Sequence, residues 1–110
     1  VVIHFKSNKL KKQLTDAKTM LKAFGQRAKM INQRIKELKA ANNLAVLKTL
    51  PAANCHQLKG YNIPTLAVDA SSNYRLIFEV AQQPIPQTEE GGLDWEVVTE
   101  IEILEVLDYH

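Results

Sequence analysis

At 110 residues the chain has the length of one domain, 1–110, with no room for two. Its 45% hydrophobic and 24% charged residues exclude a disordered chain, and its single cysteine, Cys55, excludes an internal disulfide. The net charge of +2 hides a division. Residues 1–60 hold thirteen of the fourteen Lys+Arg against only Asp16 and Glu37, whereas residues 61–110 hold Arg75 against ten acids.

The apolar start Val1-Val2-Ile3 is interrupted at His4 and ends by Lys6, so it does not read as a secretory segment. No apolar run approaches the ~20 residues of a membrane span, and a cytoplasmic location is the expectation. No cysteine–histidine group has the spacing of a zinc site, and neither a metal nor a cofactor is expected.

Val1 to Phe5 reads as a short strand, and Ser7 as the cap of a following helix. From Leu10 through Leu14, Ala17, Leu21, Phe24, Ala28, Ile31 and Ile35 to Leu38, apolar residues recur at helical spacing, with Lys and Arg between them. One long helix would satisfy that stripe. Gly25 within it, and the size of the domain, favour two helices folded as a hairpin, with the bend anywhere from about Thr15 to Gly25. Leu14, Leu21, Ile31, Ile35 and Leu38 are the predicted buried positions. Ala41-Asn42-Asn43 ends the second helix, Leu44 to Leu47 adds a turn, and Pro51 forces an extended or turning backbone.

After Pro51 the period changes to two. Cys55–Leu58, Thr65–Ala70 and Tyr74–Val80 read as strands, the last two joined in a hairpin through Ser71-Ser72-Asn73. Residues 82–94, with Pro84, Pro86, Gly91 and Gly92, read as a long loop. A final strand spans about Glu96–Leu107, with Val97, Thr99, Ile101 and Ile103 on one face. Its alternation breaks at Leu104, Val106 and Leu107, which implies a bulge or burial on both faces. The fold class is therefore α+β, an N-terminal strand and a two-helix hairpin packed on an antiparallel sheet.

Composition and spacing supply no compelling catalytic motif. They leave His56, Lys59, Arg75, Asp108, Tyr109 and His110 as residues able to move protons or meet phosphate. Each also has a plain structural role, His56 as a surface side chain, Arg75 as a salt-bridge former and His110 as a frayed end. Cys55 beside His56 is a poor nucleophile–base pair, because neighbouring strand residues point to opposite faces.

Three motifs add to this. Cys55-His56-Gln57-Leu58-Lys59-Gly60 resembles the His-x-Leu-Lys-Gly signature of HigB-type toxins in the RelE/ParE superfamily. Ser71-Ser72-Asn73-Tyr74-Arg75-Leu76-Ile77-Phe78 is similar to their Gly-Asn-Trp/Tyr-Arg-Leu-x-Phe strand, and Asp108-Tyr109-His110 to their Asp-Tyr-His terminus. The motifs stand in the family's order and, with the pattern between them, cover nearly the whole chain except the 82–94 loop. Two departures are visible: Tyr61-Asn62-Ile63-Pro64 lacks the family's basic turn, and Ser72 replaces its glycine.

The resemblance implies a RelE-like toxin of a type II toxin–antitoxin system, an mRNA interferase that cleaves translated mRNA in the ribosome without a metal. It also implies a cognate helix-turn-helix antitoxin and a toxin that is monomeric when alone. By position, His56 and His110 become proton-transfer residues, and Asp108 an orienting or catalytic group. Tyr109 becomes a stacking or phosphate-positioning residue, and Lys59 and Arg75 contact RNA. Two alternatives stand beside this reading: a ParE-like gyrase inhibitor, which needs no acid/base pair, and a catalytically inactive toxin-like binding module.

The basic residues of 9–39 suit ribosomal RNA, since neutralising phosphates makes binding salt-dependent. Ribosome co-sedimentation of the protein is expected to fall steeply as salt rises, and a flat response would reduce these lysines to a solvated face.

Overall fold

A computed structural model describes residues 1–108. The chain forms β1 (Val2–Phe5), α1 (Asn8–Thr15), α2 (Ala17–Phe24), α3 (Ala28–Ala40), β2 (His56–Gln57), β3 (Thr65–Asp69), β4 (Tyr74–Val80) and β5 (Glu100–Asp108). Short 3-10 segments occupy Gly25–Arg27, Leu44–Thr49 and Pro51–Ala53. None of these helices is long and apolar enough to cross a membrane.

The helical region has three segments where two were predicted, because both ends of the expected bend window break the helix. Ser7 caps α1, its hydroxyl accepting from Leu10 N at 3.1 Å. At Asp16 the backbone turns extended (φ −100°, ψ 119°). Its carboxylate accepts from Thr19 N at 3.0 Å and from the Thr19 hydroxyl at 2.6 Å, so Asp16 starts α2. These bonds hold the exposed Asp16 carboxyl below the usual carboxylate range. At Gly25 (φ 58°, ψ −128°) the chain leaves α2 through a conformation that side chains disfavour, then folds back into α3.

The break at Asp16 also shifts the buried face. Leu14, Ile31, Ile35 and Leu38 are buried as predicted, but Leu21 is 63% exposed and Met20 takes its inward position. Leu21 lines an open groove between α2 and α3 with Met20, Ala28 and Asn32.

The five strands form one sheet in the order β1-β5-β4-β3-β2. It is mixed where an antiparallel sheet was predicted, since β1 runs parallel to β5 and the other pairings are antiparallel. Alternation along a strand reports which face is buried and carries no information on direction. Leu66 and Val68 of β3, Leu76 and Phe78 of β4, and Ile101 and Ile103 of β5 join Leu14, Ile31, Ile35, Leu38, Leu44 and Leu47 in one core.

The last strand starts later than predicted. A turn with Val97 N donating to Asp94 O at 3.1 Å leaves Val97 exposed and buries Val98. The Gln82 side chain then holds Val97 O and Thr99 N in place of a neighbouring strand. Within β5 the register shifts: Phe78 pairs with Ile103 and Ile77 with Glu105, leaving Leu104 as the extra residue of a bulge. This is the point where the sequence alternation fails.

No side-chain contact would oppose a methyl group at Gly25, so Gly25→Ala tests backbone strain alone. It is expected to lower stability by about 1–3 kcal/mol, read as a fall in Tm, and an unchanged Tm would show that the turn relaxes without cost.

Candidate functional site

The sheet face turned away from the helices carries the site. Strand register sets Ala67 opposite both His56 and Ile77, and Asp69 opposite Arg75. His56 and Arg75 therefore share one face, two strands and two residues apart, roughly 12 Å between Cα positions by ordinary sheet spacing. Arg75 lies opposite the core face of Leu76 and Phe78, as its strand position predicts.

A polar chain links the two residues. After the 3-10 turn at Pro51–Ala53, Asn54 adopts a left-handed conformation (φ 44°, ψ 50°), which Asn tolerates better than most residues. Its backbone carbonyl lies 2.8 Å from His56 Nδ1. Its side-chain amide donates to Asp69 Oδ2 at 3.1 Å. Asp69 Oδ1 in turn lies 3.1 Å from Arg75 Nε, an ion pair with both side chains about one-third exposed. The angle of that contact is not a hydrogen bond's, and Asp69 Oδ1 has no other partner among the described residues.

The first contact has a chemical consequence. A carbonyl oxygen only accepts, so Nδ1 carries the proton and Nε2 is the accepting atom of the neutral ring. His56 is thus oriented as a proton acceptor through Nε2, while the Asp69 carboxylate holds the Arg75 guanidinium against the sheet.

Behind this chain stands Arg34 of α3, which is 4% exposed. It donates from Nε to Asp69 O at 2.7 Å, from Nη2 to Ala52 O at 3.1 Å and from Nη1 to Glu37 Oε1 at 3.1 Å. Arg34, Asn54 and Asp69 were not singled out in the sequence. Arg34 looked like one more base on a basic helix, and only its partners in distant segments distinguish it.

The remaining predicted residues are less closely placed. Lys59 is exposed in the bend after β2, on the chain that returns through Leu58 N to Thr65 O. Asp108 is exposed at the end of β5 and pairs with Tyr74, so the register puts it on the helix face, out of phase with Arg75. Tyr74 itself is tied to the helices by Arg27, whose Cζ lies 4.8 Å from the ring centroid, and by Phe24. Tyr109 and His110 lie outside the described residues. Among the described residues, no group of His, Cys, Asp and Glu is placed to hold a metal ion.

Beside β2 a groove of about 410 Å³ is lined by Lys48, Leu50, Cys55, His56, Gln57 and Trp95, among others. Burial pushes the Cys55 thiol up to about 12, against a smaller opposing pull from Lys48. The thiol is therefore neutral at physiological pH, which fits its packing against the core and not a nucleophile.

No protein-family model matches the chain, and comparison with curated proteins finds no match.

Native protein at pH 8 is expected to resist thiol alkylation at Cys55 and to react fully once denatured, with Cys55→Ala changing little else. Rapid alkylation of the native protein would contradict the burial.

Proposed function

We propose that this protein is a RelE-like, HigB-type toxin that cleaves mRNA on the ribosome. The observation that carries the reading is the oriented His56, with Nε2 as its acceptor, on the same sheet face as Arg75, opposite Leu76 and Phe78. The three motifs and the order of strand, helices and sheet support it.

In this reading the RNA supplies its own nucleophile. His56 Nε2 takes the proton from a 2′-hydroxyl, whose oxygen attacks the adjacent phosphorus. Arg75 stabilises the added negative charge of the phosphorane. The bond to the 5′-oxygen breaks, and an acid, assigned to His110, returns a proton to that oxygen. The products are a 2′,3′-cyclic phosphate and a 5′-hydroxyl. Asp108 orients the terminal residues, Tyr109 stacks on a base or positions the phosphate, and Lys59 contacts the backbone. The ribosome presents the mRNA, and a helix-turn-helix antitoxin is the partner that neutralises the toxin.

The Asp69–Arg75 ion pair favours a second reading, a catalytically inactive binding module. Arg75 would there serve the sheet, and Tyr61-Asn62-Ile63-Pro64 would lack a basic residue because no RNA is held.

Mapping of mRNA ends in a translating ribosome preparation separates the two. His56→Ala is expected to reduce cleavage by about 10²–10⁴-fold, and Arg75→Ala by about 10²–10³-fold, with the fold retained by circular dichroism. A chain ending at Leu107 should lose cleavage as well. Full cleavage by that truncated chain would remove Asp108, Tyr109 and His110 from the site, and no cleavage by the unaltered protein would leave the binding module.

A further inference from the structure

The groove beside β2 is built from segments distant in sequence: the 3-10 segment that carries Lys48, the edge strand with His56 and Gln57, and Trp95 beyond the long loop. Leu50, Cys55 and Trp95 also pack against the core, which makes part of its surface apolar and anchored. Lys48 Nζ lies 4.0 Å from the centroid of the Trp95 ring, a cation held on the π face of an indole. The Gln57 amide and the His56 imidazole add hydrogen-bonding groups. Among the described residues no carboxylate lines the groove, although Asp94 and Glu96 flank Trp95 in sequence. Its volume falls within the range of small-molecule sites, about 300–1,000 Å³.

Charge sets the direction in which a polyanion can leave His56. Across the same sheet face, the register aligns Glu79 with Glu102 and Ile77 with Glu105, so the path towards β5 meets carboxylates that repel phosphate. The path over the β2 edge meets Lys48 and an aromatic wall instead. A cation for a phosphate and an indole for a base are the two elements by which proteins hold single-stranded nucleic acid.

We propose that this groove is a nucleotide subsite for single-stranded RNA. It takes the base against the Trp95–Lys48 wall and the phosphate at the Lys48 ammonium, beside the nucleotide presented to His56. Its place next to a cleavage point rests on the ribonuclease reading, whereas its ligand chemistry rests on the groove's own residues.

Trp95 is the protein's sole tryptophan, so its emission reports on the groove directly. Titrating the full chain with a short uncleavable 2′-O-methyl oligonucleotide should quench that emission saturably. Lys48→Glu should weaken the binding about tenfold, the scale of one lost hydrogen bond to a charged phosphate. Lys6→Glu, the same charge change on an exposed residue just after β1, should leave the curve nearly unaltered, with circular dichroism confirming both folds.

Equal weakening by the two variants would reduce the effect to overall charge and overturn the subsite. Equal quenching by a poly-glutamate peptide would overturn it in favour of an acidic protein segment. Cleavage of translated mRNA without Trp95 quenching would overturn the subsite and leave the ribonuclease reading standing. Quenching without cleavage would support the subsite and count against that reading, and the absence of both would overturn both.

Discussion

Arg34 is the buried charge on which the site's geometry depends. Removing a guanidinium from water costs several kcal/mol unless its donors are filled and a counter-charge is near. Here Glu37, one turn along α3, supplies the counter-charge, and the carbonyls of Asp69 and Ala52 take donors from Nε and Nη2. The fork thereby joins three segments: α3, the end of β3 and the turn that leads into β2. A lysine could not make that connection, since its ammonium lacks the planar, divergent donors. The Asp69 carboxylate and the Asn54 turn are held from behind by the same side chain, and through them His56 and Arg75 take their places.

The charge division in the sequence becomes a division in space. The lysines of α1, α2 and α3 are exposed, while Arg27 stacks on Tyr74 and Arg34 is buried, so two of the bases serve the fold. The acids of the second half lie largely on β4, β5 and the connection before β5. Glu100 is paired with His4 across the β1–β5 edge at 2.8 Å. The described helices therefore carry most of the exposed positive charge, and the described strands β4 and β5 with the connection before β5 carry most of the carboxylates.

Much of the architecture was legible in the chain. The Ser7 cap and the strands Thr65–Asp69 and Tyr74–Val80 follow from local preference and alternation, and the broken alternation left a bulge or two-sided burial, of which the register at Leu104 selects the bulge. Leu21 was misplaced because a single helical period was carried across Asp16, whose short bonds to Thr19 restart the helix in a new phase. Val97 was misplaced because alternation continued on paper through a turn that Asp94 closes. Both errors arise where a polar group satisfies backbone or hydroxyl donors locally and breaks a pattern that hydrophobicity alone would extend.

The candidate site divides along the same line. Local sequence determined the strand that carries Arg75, the short edge segment that carries His56 and the outward phase of Arg75, since each depends on near neighbours and on a period of two. Only the tertiary structure decided that β1 runs parallel to β5, that Asp108 faces the helices by register, and that Arg34 is a buried hub. It alone brought Asn54 to Asp69, and Lys48 to Trp95. Those contacts join residues far apart in the chain, where no local periodicity operates and the balance of desolvation against hydrogen bonding is set by the fold as a whole.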